Sequence, residues 1–256
     1  MFNYIRAEFY KLFHRKYIYI VLGIMLVLEG LLLSTFVIAN HLPDHVALSY
    51  FSDAITTIPL MGPVGFIMCT LAGDVVFAEQ LKHSTLKNEV AFGLSRSRIY
   101  LGKLLSQTLL SLFCLVVMMA FYIGAAAIFL PHNVPADRFT DAEALQTVGS
   151  FLAAAIPLWL GAQALFCMLQ FTFHSSVCSA IYVCLIFVLP GGLRLLGALV
   201  SSLSAPLGKF LVDMSLWLPS EVLQNGGMAE CCLVGAFWIV LPTALGLYGF
   251  SRKEIK

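Results

Sequence analysis

Long apolar runs alternate with short polar segments along this chain, near residues 18–39, 57–78, 103–130, 148–172, 176–200 and 231–250. A helix needs about 20 apolar residues to cross the hydrocarbon of a bilayer. Backbone amides find no partner in lipid, so runs of this length are expected as helices. The pattern predicts an all-α integral membrane fold with six transmembrane helices. One segment stands apart. Residues 77–103, between the second and third runs, carry Lys82, Lys87, Arg96, Arg98 and Lys103, five of the fifteen Lys and Arg. Contact with a soluble partner is expected there.

Within that polar island Leu81, Leu86 and Val90 can share a helical face, with Lys82, Lys87 and Glu89 elsewhere around it. Gly93 is placed as the residue just past a helix end, and Ser95 as the cap of the next helix. The expected product is a short helix at about 80–92 and then a turn into the third run. The alternative is a solvated loop whose charges only enforce topology. Residues 1–16 form a second amphipathic piece: Phe2, Ile5, Phe9, Leu12 and Phe13 fall on one face, Tyr4, Lys11 and Arg15 on the other. A helix of this pattern lies in the headgroup plane. The segment 201–230 contains Pro206, Pro219 and Gly226-Gly227 around an apolar stretch, Phe210 to Leu218, too short to span, and is expected to be re-entrant or interfacial. No internal repeat is visible.

Composition narrows the class. The chain is 60% hydrophobic and 11% charged, with mean hydropathy +0.90, against roughly 45–50% and 25% in soluble domains. A net charge of +1 without a basic stripe argues against a nucleic-acid partner. Twelve of the fifteen cations lie before the first run, in the island or in the tail. That side is expected to be cytoplasmic, with both termini on it. The first apolar run is too long for a cleavable signal peptide. The seven cysteines read as packing thiols, since no second pair or nearby His completes a metal set around Cys231-Cys232. The six histidines read as solvated, and no metal site is expected. No Ser-His-Asp set or HExxH motif appears, and no Gly-x-x-x-x-Gly-Lys-Ser/Thr phosphate loop, so the chain is expected to be neither an enzyme nor a nucleotide binder.

The order of these features resembles ABC-2-type transporter permeases. Glu8-Phe9-Tyr10-Lys11-Leu12 before a membrane helix looks like the start of that family. Glu79 at the end of helix two, then Ser84-Thr85-Leu86-Lys87-Asn88, looks like its first cytoplasmic loop, where Gly is commoner than Ser84. Gly93-Leu94-Ser95-Arg96-Ser97-Arg98 running to Lys103 resembles its entry to helix three, and Leu218-Pro219-Ser220 fits the segment before its last helix. The resemblance covers the whole chain as a single transmembrane domain, 1–256. It implies a permease of a bacterial cell membrane that pairs with a second permease, identical or not. It also implies cytoplasmic ABC ATPase subunits, which would hold the ATP and Mg²⁺; no cofactor is implied for this chain. Membrane lipids complete the partners. Glu79, Lys82, Leu86, Lys87, Glu89, Ser95, Arg96, Arg98 and Lys103 would form the coupling segment. Lantibiotic- or bacitracin-immunity exporters are the nearest analogues.

Three ionisable residues fall inside or at the edge of the spans. Glu29 sits mid-helix, where a lipid-facing charge costs at least about 2.5–3.5 kcal/mol. Arg194 follows Pro190-Gly191-Gly192, expected to break or kink the fifth helix. Asp74 is placed to reach headgroups or Arg96 and Arg98. Glu29 and Arg194 are candidates to line a pathway or to pair. The rival readings are an ATP-independent secondary transporter or channel, and a membrane scaffold that transports nothing.

Overall fold

A computed structural model describes residues 2–41, 48–83, 86–91, 93–132, 134–135, 138–173, 177–200 and 227–252; for residues 2–3, 78–83, 86–88 and 194 it describes the backbone alone. Regular structure among the described residues is entirely helical. The elements are α1 (Phe2–Phe13), α2 (Lys16–Ala39), α3 (Phe51–Ile55), α4 (Gly62–His83), α5 (Leu86–Ala91), α6 (Arg96–Phe129), α7 (Asp141–Phe173), α8 (Val177–Val183), α9 (Leu189–Leu199) and α10 (Met228–Arg252). A 3-10 turn, Ile58–Met61, leads into α4, and a π turn, Cys184–Val188, joins α8 to α9. Six segments among the described residues are long and apolar enough to cross a membrane, in line with the hydropathy pattern.

Two helices outrun the apolar runs. α6 has 34 residues and α7 has 33, so each is roughly 50 Å long at about 1.5 Å per residue. The hydrocarbon is only about 30 Å thick. Hydropathy marks the lipid-immersed part and misses the polar first turns, 96–102 and 141–147. The start of α7 carries its own signal. Thr140 and Glu143 form a capping box, with the Glu143 carboxylate accepting from the Thr140 N–H at 2.8 Å and the Glu143 N–H donating to the Thr140 hydroxyl at 3.3 Å.

At helix five, expected to break or kink at Pro190-Gly191-Gly192, the break does not occur. Pro190 lies in the first turn of α9, and the helix continues to Leu199. The irregularity sits just before, where the Leu189 N–H donates five residues back to the Cys184 carbonyl. Proline brings no N–H and its ring crowds the preceding turn, and the wider π turn accommodates both.

α7 is the centre of the bundle: 61% of its most apolar window is buried, against 6% for α2 at the periphery. Its most extensive contact is with α10, where a Cβ on Gly235 would lie 2.6 Å from the Pro157 backbone carbon. Three apolar clusters follow one another along the bundle. One gathers Leu12, Val76, Phe77, Tyr100, Phe171 and Phe250. The middle one holds Phe66, Leu158, Phe166 and Tyr182, and the far one Leu33, Phe51, Tyr122 and Val148. All seven cysteines are free thiols, with Cys184 and Cys232 exposed on the bundle surface rather than packed inside. The segment 201–226, with the expected re-entrant stretch and Leu218-Pro219-Ser220, lies outside the described residues, as do Ser84, Thr85, His45 and His174.

Candidate functional site

One end of the bundle collects α1, α5, the start of α6 and the end of α10. α1 forms where its pattern places it, and the stripe it turns to the protein combines part of the expected apolar face with polar residues. Leu12 and Glu8 are buried, and Tyr4 lies in the same stripe, one helical turn further back. Tyr4, assigned by sequence to the polar face, instead lays its ring over α6, 2.5 Å from where a Cβ on Gly102 would stand. Its hydroxyl donates to Glu89 Oε2 of α5 at 3.0 Å. Phe13, assigned to the apolar face, packs edge-on against Phe113 of α6, with ring centroids 5.6 Å apart.

Glu8 is the electrostatic centre of this end. Its carboxylate accepts from Lys103 Nζ of α6 on one oxygen and from Lys11 Nζ, at 3.1 Å, on the other. Burial pushes the Glu8 carboxyl up, but Lys103 and then Lys11 outweigh it and hold the group below the usual glutamate range. The Tyr4 hydroxyl is pushed well up, first by burial and then by the negative charges of Glu8 and Glu89. Arg15, in the extended link between α1 and α2, donates to the Val75 carbonyl of α4.

The short helix expected at about 80–92 is divided between two helices. Residues 80–83 belong to α4, so Glu79 sits inside that helix rather than at its end, and Leu81 and Leu86 are on different helices. Only Leu86–Ala91 forms the separate short helix. It closes with the pair of backbone bonds of a Schellman motif, Leu94 N–H to Glu89 carbonyl and Gly93 N–H to Val90 carbonyl, with Gly93 at φ 83°. Ser95 stands at the N-cap of α6, with extended backbone but no capping bond from its hydroxyl. Arg96 donates to the carbonyls of Phe250 (3.0 Å) and Ser251 (2.7 Å), filling acceptors that the end of α10 leaves open. Arg98 is exposed, and Lys103 is fully buried against Glu8. The side chains of Glu79, Lys82, Leu86 and Lys87 lie outside the described residues, as does that of Arg194.

The intramembrane candidates separate. Asp74 does not reach Arg96 or Arg98. Its oxygens accept from Gln170 Nε2 of α7 at 2.8 Å and Ser179 Oγ of α8 at 2.9 Å, so three helices meet there. Glu29 is half-buried on α2, with an enclosed Oε2 that accepts no hydrogen bond among the described residues. A buried pair that the sequence reading did not single out joins α6 to α7: Gln107 Nε2 donates to Gln163 Oε1 at 2.6 Å. Its signal was available, since a glutamine within an apolar run must find a partner on another helix. The Glu8–Lys103 pair had no such signal, because the two residues are 95 positions apart and lysine at a helix entrance reads as a topology charge.

Six segments among the described residues long and apolar enough to cross a membrane, with the amphipathic α1 and the short α5 gathered at one end, define a multi-pass membrane component. The chain belongs to the ABC-2 family: the model of the ABC-2 family transporter protein matches residues 4–191, from α1 into α9. Membership makes it the membrane part of an ABC transporter, not itself catalytic, and implies ABC ATPase subunits as partners. No curated protein and no solved structure matches the chain.

Proposed function

We propose that this chain lines the membrane pathway of an ABC exporter, dimerises with a second permease, and is driven by an ATPase that docks on α5 and the island around it. The observation that carries this reading is the unbroken contact from α5 through Tyr4 and Glu8 to the start of α6. Displacing α5 would move α1 and α6 with it. For the ATPase to drive transport, its closed and open states must contact this surface differently. Both termini and α5 face the cytoplasm on this reading, in a bacterial cell membrane whose lipids surround the bundle. The substrate is an amphipathic or apolar compound moved outward; a peptide antibiotic, exported in self-protection, fits such a path. On this reading Glu29 and Arg194 line the path or pair with each other. ATP and Mg²⁺ belong to the partner, and the chain itself carries no cofactor.

Purification from native membranes tests this. An ATPase subunit should accompany the chain and be lost on Glu79→Ala or Lys87→Ala, with the permease still folded. Transport in proteoliposomes should need ATP. A chain that purifies alone and transports under an ion gradient overturns the proposal in favour of a secondary transporter. Glu29→Arg and Arg194→Glu should each abolish export; recovery in the double variant would establish that the two pair.

A further inference from the structure

His132 lies at the end of the bundle opposite α1 and α5, three residues past the end of α6. The helix ends in Leu130-Pro131. The Leu130 N–H still bonds the Ala126 carbonyl at 3.0 Å. The next carbonyl, Ala127, would take its bond from residue 131, but that residue is proline and has no N–H. His132 supplies the missing donor: its Nε2 lies 3.0 Å from the Ala127 oxygen. The other ring nitrogen, Nδ1, lies 2.7 Å from Asp141 Oδ2, on the first residue of α7. The ring also rests on Phe51 of α3, with centroids 5.0 Å apart.

A carbonyl oxygen and a carboxylate are both acceptors only. A neutral imidazole carries one N–H and can serve just one of them; the imidazolium carries two and serves both. We propose that His132 is a pH-operated clasp, joining the end of α6 to the start of α7 only while both ring nitrogens carry protons. The charge suits both ends, being a cation at a helix C-terminus and the counter-ion of a carboxylate at a helix N-terminus.

Among the described residues, the other charged groups nearby are already engaged. Glu143 of α7 is held by Thr140. Asp53 of α3 accepts from Arg138 of the connecting loop at 2.9 Å. Asp137 lies outside the described residues. Hydrogen bonding to Asp141, then to the Ala127 carbonyl, raises the His132 pKa above its ordinary value. A raised value means that the clasp is complete below the ordinary histidine range and is lost as pH rises through the raised one. On the topology proposed above, the clasp faces the exterior and senses external pH. The chemistry of the clasp does not depend on that topology.

Nitrogen-15 NMR of histidine-labelled full-length protein in micelles tests the proposal, with His132→Gln assigning the resonance. Both ring nitrogens should be protonated at pH 6, with a midpoint above the ordinary value of about 6.5 that falls in Asp141→Asn. Amide exchange over residues 138–146, corrected for intrinsic rates, should rise several-fold between pH 6 and pH 8.5 in the wild type. In His132→Gln it should stay level across that range. A neutral tautomer at pH 6, a midpoint unmoved by Asp141→Asn, or exchange that is flat in the wild type would each overturn the clasp. Failure of ATP-driven export would leave these readings unchanged.

Discussion

Glu8 sits where a carboxylate is expensive, and two lysines make it tolerable. Removing one member of a buried pair strands the other, at a cost of about 3–5 kcal/mol. Glu8→Ala should therefore lower the unfolding temperature markedly in detergent, whereas Glu8→Leu with Lys103→Met should recover most of the loss. The pH dependence follows from the lowered pKa of the carboxyl. A glutamate whose folded value is depressed contributes its stability above the unfolded value, and that stability disappears as pH falls through the folded value. The gap in unfolding temperature between wild type and Glu8→Gln should thus be full at neutral pH and close in acid below the usual glutamate range. At this scale the sequence was a poor guide. Tyr4 reads as part of the polar face, and only packing of its stripe, with Glu8, against Gly102 and Lys103 turns it inward.

Short elements were more legible where backbone chemistry leaves a residue signature. Gly93 was expected just past a helix, and it has the positive φ that closes α5. No described residue stands within 4 Å of a Cβ added there, so Gly93→Ala pays for conformation, about 1–2 kcal/mol. Faster amide exchange across 86–94, with an unchanged global unfolding temperature, is the expected result. Gly235 gave no such hint. Its role is contact: Gly235→Ala drives a methyl into the Pro157 backbone. Overpacking of this kind costs about 1–3 kcal/mol and should lower the unfolding temperature without any change at α5. The Pro190-Gly191-Gly192 motif was legible in part, since the helix is irregular beside it but unbroken. Local propensity warns of a break, but a π turn one step earlier relieves the strain and the helix runs on.

At the scale of the molecule, polar contacts tie the central helix to its neighbours: Gln107–Gln163 to α6, and Gln170 with Ser179 around Asp74 to α4 and α8. Interhelical hydrogen bonds within membranes average about 0.6 kcal/mol and reach about 1.7. Gln107→Leu and Gln163→Leu should each destabilise the bundle, and the double variant should cost less than their sum by an amount in that range. Strict additivity in a double-mutant cycle would show that the pair contributes nothing. The number of spanning helices and the family were readable from the chain, because lipid enforces a length and a polarity on every crossing segment. So was the gathering of cations into three segments. So was their placement on one side of the bilayer; the contacts they make there were not. Those depend on which helix faces touch, and a bundle in lipid chooses those faces by fit and by a few paired polar groups rather than by hydrophobicity. Glu8 against Lys103, Tyr4 against Glu89 and Arg96 on the end of α10 exist only once the helices have packed.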